Sequence, residues 1–126
     1  MVTMAQVMAR APQTVCPATT VGDAARRMRE ADTDDVVVVD QGRVVGILTD
    51  RDLALRVVAE DKDSSTPVGD ICRGQTFVTI GPDVGIGQAM QLMRDRAASR
   101  LLVAEEDRII GVISLADLNP QGRLRN

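Results

Sequence analysis

The chain repeats itself. Displaced by 65 residues, positions 12–53 align with positions 77–118 without a gap. Thr14 meets Thr79, Pro17 meets Pro82, Gly22 meets Gly87 and Met28 meets Met93. Further along, Val38 meets Val103, Arg43 meets Arg108, Gly46 meets Gly111 and Asp52 meets Asp117. Pairs such as Val21/Ile86, Val44/Ile109 and Leu48/Ile113 keep the apolar positions in step. A duplication in register means that every element must be found twice. The polar stretch Glu60-Asp61-Lys62-Asp63-Ser64-Ser65-Thr66-Pro67 reads as the joint between the copies. The expected division is a first unit over 1–60, a linker over 61–67 and a second unit over 68–126.

Each copy carries the same pattern. A short extended piece (Thr14-Val15, Thr79-Ile80) precedes a proline-containing turn. An amphipathic helix follows, with Val21, Ala24, Ala25 and Met28 on one face in the first copy and Ile86, Ala89, Met90 and Met93 in the second. The runs Val36-Val37-Val38-Val39 and Leu101-Leu102-Val103-Ala104 are continuously apolar, as in strands buried on both faces. Turns at Asp40-Gln41-Gly42 and Glu105-Glu106-Asp107 lead into strands over 43–48 and 108–113. A second helix starts at Thr49 and runs to about Asp61; its counterpart starts at Ser114 and is cut short by Asn119-Pro120. The fold class is mixed α and β, a tandem pair of β-α-β-β-α units. A half of about 60 residues buries too little to offset its chain entropy. The two copies are therefore expected to pack face to face about a pseudo-twofold axis.

Composition removes several function classes. The net charge of −3 and a pI near 4.9 deny the basic face that nucleic acid requires. Phe77 is the sole aromatic residue, so no platform for stacking bases can be built. No apolar run approaches the roughly 20 residues of a membrane span, and the N-terminus lacks a signal-peptide core. The expected location is the cytoplasm. Histidine is absent and Lys62 is the sole lysine. The commonest general base, the usual partner of a nucleophile and the commonest metal ligand are thus missing. Neither a catalytic nor a metal site is expected. Cys16 and Cys72 stand far apart and read as two small core thiols.

The most informative stretch is Gly46-Ile47-Leu48-Thr49-Asp50-Arg51-Asp52-Leu53, echoed by Gly111-Val112-Ile113-Ser114-Leu115-Ala116-Asp117-Leu118. Thr49 and Ser114 are good N-caps, and an acid three residues on completes a capping-box pattern. That position usually holds Glu or Gln, yet both copies keep the shorter Asp. Both copies also place Gly three residues before the hydroxyl, where a backbone or ligand can come close. A fixed carboxylate suits two vicinal hydroxyls, as on a ribose. Free amides at a helix start, beside a hydroxyl, suit a phosphate.

The motif Gly-apolar-apolar-Thr/Ser-x-x-Asp, after Thr-Val-x-Pro and an Ala-xxx-Met helix, resembles a CBS domain. Two in tandem resemble a CBS pair, or Bateman module, and the resemblance covers residues 5–118. It implies β-α-β-β-α units and two clefts between the halves that bind adenosyl ligands such as AMP, ADP, ATP, NAD or S-adenosylmethionine. It further implies that Asp52 and Asp117 hold ribose hydroxyls, that Thr49 and Ser114 lie near phosphate, and that Thr14 and Thr79 lie near the base. Family members often carry Arg or His just before the middle strand, near phosphate. Arg100 fills that position in the second copy, whereas the first has Asp34-Asp35, which disfavours a phosphate there. Arg51 could offset those acids.

The leading expectation is a stand-alone, non-enzymatic sensor that needs no cofactor, binds an adenosyl ligand and acts in trans on a protein partner. A homodimer is implied by the resemblance. The rival is a structural dimerisation or interaction module whose clefts stay empty. An enzyme built on Asp52 or Asp117 would lack any accompanying base, metal cluster or nucleophile.

Overall fold

The computed structural model of the chain describes residues 12–72, 77–98, 100–106 and 108–114. One unit comprises β1 (Thr14–Val15), α1 (Val21–Ala31), β2 (Asp35–Asp40), β3 (Arg43–Thr49), α2 (Asp50–Leu53) with a π-helical turn (Ala54–Val58), and α3 (Val68–Cys72). The other comprises β4 (Val78–Ile80), α4 (Ile86–Arg96), β5 (Arg100–Glu105) and β6 (Arg108–Ser114). Each holds a three-stranded sheet, in the orders β1-β2-β3 and β4-β5-β6. In both sheets the first pair is parallel and the second antiparallel. The expected order of elements is therefore present, except that the second copy's closing helix, with Asp117, lies outside the described residues.

The duplication extends to irregular details. Val38 pairs with Gly46 but Val39 with Val44, leaving Val45 as the extra residue of a β-bulge. Val103 pairs with Gly111 and Ala104 with Ile109, so Ile110 is the extra residue of the same bulge. Both long helices end in a left-handed cap, Asp32 at φ 53° and Ala97 at φ 52°. In each, the following amide closes the helix, Thr33 to the Met28 carbonyl and Ala98 to the Met93 carbonyl, both at 2.9 Å. Ala97 carries a Cβ in a conformation that glycine adopts at no steric cost. Ala97→Gly is expected to stabilise the protein by up to about 1 kcal/mol, read as a raised midpoint in thermal unfolding.

The helix face and the sheet meet as the periodicity requires. Val21, Ala24 and Met28 of α1 pack on Val15, Val36, Val38 and Leu48. Ala89 and Met93 of α4 pack on Ile80, Leu101, Val103 and Ile113. Fully burying each such aliphatic chain is worth about 1.5–3 kcal/mol. The opposite sheet faces are buried at Val37, Ile47 and Leu102 as well. The middle strands β2 and β5 are thus covered on both sides, which is why their sequences do not alternate.

Two expectations needed correction. The helix expected over 50–61 is α-helical for only four residues. It continues with π-type bonds, Ala59 amide to Ala54 carbonyl and Lys62 amide to Val57 carbonyl, both 2.9 Å. Apolar periodicity cannot separate the two windings here, because both leave Leu53 and Val57 facing the core. Cys16 is exposed rather than buried, since it follows β1 into a turn where its sulfur lies 3.4 Å from the Thr19 hydroxyl. Gly46 pairs with Val38 beside the bulge. The short α3 was not foreseen. Val68, Ile71 and Cys72 join the first unit's core, and a Cβ on Gly69 would stand 3.0 Å from that of Pro17.

Candidate functional site

The chemistry gathers where β3 runs into α2. Thr49 is extended (φ −115°, ψ 165°), and its hydroxyl accepts from the Asp52 amide at 3.1 Å. The Asp52 carboxylate reaches back: its Oδ2 accepts from the Thr49 amide at 2.9 Å and from the Thr49 hydroxyl at 3.0 Å. The capping box is complete, and Asp is long enough to close it. The shorter acid at this position therefore still serves the cap. Thr49 is buried and Asp52 half-buried. Oδ1 of Asp52 accepts no hydrogen bond from the described residues.

The amides of this turn are not free, contrary to expectation. The Asp50 amide donates to the Asp34 carbonyl at 3.0 Å, and the Arg51 amide to Asp50 Oδ1 at 2.8 Å. With Thr49 and Asp52, four consecutive N–H groups have partners inside the chain. The physical reason is local: short acidic side chains and the strand end beside them reach the donors that a bare helix start would leave open.

Sheet register fixes which residues share a face. Thr14 pairs with Val37, Val37 with Ile47, and Asp35 with Thr49. These lie on the face opposite α1, because residues directly across a ladder point the same way. The second unit repeats this: Thr79 pairs with Leu102, Leu102 with Val112, and Arg100 with Ser114. Thr14 stands two strands from Thr49 and Asp52, so it belongs to the same face but not to the same cluster. Thr79 stands likewise to Ser114. The difference between the copies noticed in the sequence is thereby localised. The hydroxyl of the motif faces a carboxylate, Asp35, in one sheet and a guanidinium, Arg100, in the other.

Two residues act on the surroundings of Asp52 without having been tied to it by the sequence. Burial raises the thiol of Cys72 to about 11, and the nearby Asp52 carboxylate adds to the shift while Arg56 opposes it. Cys72 therefore stays protonated at neutral pH and borders the site as an apolar group. Arg56 is exposed on the π-helical turn. Nothing in the sequence tied α3 to the motif, because the contact joins segments that no periodicity links. A surface groove of about 380 Å³ lined by Ala18, Thr19, Thr20, Asp23, Arg26, Arg27 and Glu30 contains none of the expected site residues. Its wall is the solvent face of α1, opposite in character to the face just described, so chemistry rather than concavity directs attention to the Thr49–Asp52 turn. Among the described residues no group of His, Cys, Asp or Glu could hold a metal ion, and no helix is long and apolar enough to cross a membrane.

The family model for the CBS domain matches the chain twice, over residues 4–59 and 68–119. The chain belongs to the CBS domain family. The two copies are two CBS domains in tandem, and as a CBS pair the chain is a regulatory module. It is 35% identical to the CBS domain-containing protein YhcV of Bacillus subtilis over 105 residues, spanning 83% of this chain and 74% of that one. Among solved structures, a CBS-domain containing protein of Agrobacterium tumefaciens superposes with a TM-score of 0.77 at 26% identity, covering 96% of this chain and 92% of that one. A CBS domain protein of Pyrobaculum aerophilum, solved in complex with AMP, shares the fold with a TM-score of 0.79 at 21% identity, covering 98% and 97% of the two chains.

Proposed function

We propose that this CBS pair is a non-enzymatic sensor that binds an adenosyl ligand and passes the signal in trans to a protein partner. The ligand class is AMP, ADP, ATP, NAD or S-adenosylmethionine. The observation that carries the reading is Asp52: its carboxylate is fixed by the Thr49 box, yet Oδ1 accepts no bond from the described residues. A fixed acceptor of this kind suits the vicinal hydroxyls of a ribose. The proposed ligand residues are Thr14, Thr49 and Asp52 in the first unit and Thr79, Arg100, Ser114 and Asp117 in the second. The AMP-bound relative supports the ligand class by analogy of fold. The sensor works as a homodimer in the cytoplasm; exposed Leu55 and Val58 offer apolar surface that a second copy would cover.

The rival, an interaction module with empty clefts, draws on the completeness of the capping box. A turn that satisfies itself needs no ligand to be stable. One experiment separates them. The chain has no Trp or Tyr, so it hardly absorbs in the near ultraviolet. Adenine carried through purification would dominate the spectrum and be released on denaturation. Calorimetry with AMP, ATP, NAD and S-adenosylmethionine is expected to show saturable binding to the emptied protein. No heat with any of the four ligands would leave the interaction module as the function.

A further inference from the structure

We propose that the π-helical turn of the first CBS domain is a winding switch. It holds one surplus residue, and releasing that residue as an α-helical turn loosens the strap over 63–66 from the first turn of α1. Two anchors enclose the turn. At its start the Ala54 amide returns to the Asp50 and Arg51 carbonyls, as in an α-helix. At its end Asp61 is left-handed (φ 57°), and the Asp61 and Lys62 amides return to the Val58 and Val57 carbonyls at 3.1 and 2.9 Å. The strap follows directly. Its Thr66 and Ser64 carbonyls accept from the Val21 and Gly22 amides at 2.8 and 3.0 Å, donors that a helix start leaves open. The fit is close, since a Cβ on Gly22 would stand 3.2 Å from the Ser64 carbonyl. The chain that leaves the π-helical turn thus caps α1.

Glu60 sets the winding. An α-helix keeps positions i, i+4 and i+7 on one face, and here these are Leu53, Val57 and Glu60. Val57 is buried in the core and Leu53 packs against it, so α winding would carry a carboxylate into apolar surroundings. The π-helical turn, with the Ala59 amide on the Ala54 carbonyl, takes more residues per turn and leaves Glu60 exposed. In α winding the helix would reach its end one residue sooner, and the strap would receive that residue as slack. Every side chain beyond the slip would also turn by about 100°. Leu55 and Val58, 51% and 72% exposed, lie within the turn, so the apolar surface offered there changes with the winding.

The test uses the full chain labelled with ¹⁵N and ¹³C. Scalar coupling across the hydrogen bond of the Ala59 amide reads the winding. Hydrogen exchange at the Val21 and Gly22 amides reads the strap, and exchange at Val36 and Val38 reads the stability of the whole domain. Glu60→Leu puts an apolar side chain on the inward face. The Ala59 coupling is expected to move from the Ala54 to the Leu55 carbonyl. Exchange at Val21 and Gly22 should rise about tenfold or more while Val36 and Val38 keep their rates. Deleting Leu55 removes the surplus residue instead. Leu53 and Val57 then stand i and i+3 apart, which an α-helix keeps on one face, and Glu60 falls at i+6, off it. This variant is expected to be α-helical through the turn with Val21 and Gly22 exchanging no faster than in the wild type. The proposal is overturned if Glu60→Leu leaves the Ala59 coupling on Ala54, or if the coupling moves and the strap amides keep their rates. Should the deletion fail to fold, Glu60→Leu alone decides by the same two readings.

Discussion

Asp52→Ala is expected to abolish adenosyl binding at the first domain and to lower stability in the same stroke. Two effects combine because the proposed ligand carboxylate is also the one that closes the cap. Its Oδ2 closes the cap through the Thr49 amide and hydroxyl. Losing a cap of this kind costs about 1 kcal/mol. Thr49 is buried, so its hydroxyl and amide lose their acceptor without gaining easy access to water, which raises the cost towards about 2 kcal/mol. On the ligand side, two bonds from a diol to a charged acceptor are worth about 1.5–3 kcal/mol each. The expected loss of affinity is therefore about a hundredfold or more. Asp52→Asn separates the duties. The amide oxygen still accepts the bonds of the box, so most stability should remain while the diol loses its charged partner. Thermal unfolding and calorimetry with AMP, run on both variants, read the two effects independently. If both variants unfold early yet bind AMP as the wild type does, Asp52 is a capping residue and nothing more.

How far the fold was legible follows from which signals repeat. The apolar positions of α1, β2, α4 and β5 recur at one spacing, and the structure buries Val21, Ala24 and Met28 against Val36 and Val38 as the spacing required. The burial of β2 on both faces was readable from four valines in a row. Other features had no local signature. The π-helical turn after Leu53 places the same side chains inward as an α-helix would. The docking of α3 depends on Gly69 passing close to Pro17, a contact between distant segments. At the site, the motif singled out Thr49 and Asp52, and their hydrogen bonds make them one unit. The motif could not show that the neighbouring amides were already taken, because those bonds depend on Asp34 and on the rotamer of Asp50. Residue types gave the candidates; only the register of β2 on β3 and of β5 on β6 showed what each hydroxyl faces.

That register yields the second large effect. Arg100→Asp is expected to weaken phosphorylated ligands at the second domain, and Asp35→Arg to make the first domain favour them. The two positions are equivalent: each opens a middle strand and pairs with the hydroxyl residue of the motif, Arg100 with Ser114 and Asp35 with Thr49. Both are half-buried, so their charges are only partly screened. Reversing a unit charge about 5 Å from a phosphate changes the interaction by several kcal/mol at an effective dielectric near 20, and solvent reduces this to about 1–3 kcal/mol. The affinity for AMP should fall about ten- to a hundredfold in Arg100→Asp while adenosine binds as before. Asp35→Arg sacrifices the 3.4 Å bond that Asp35 accepts from the Thr33 hydroxyl. In return the first domain gains the donor that its turn lacks, and AMP should come to bind there more tightly than adenosine. Calorimetry with the two ligands on the two variants gives four affinities. Equal weakening of AMP and adenosine in Arg100→Asp would mean that Arg100 only holds β5 in place, and the asymmetry between the domains would then have no bearing on phosphate.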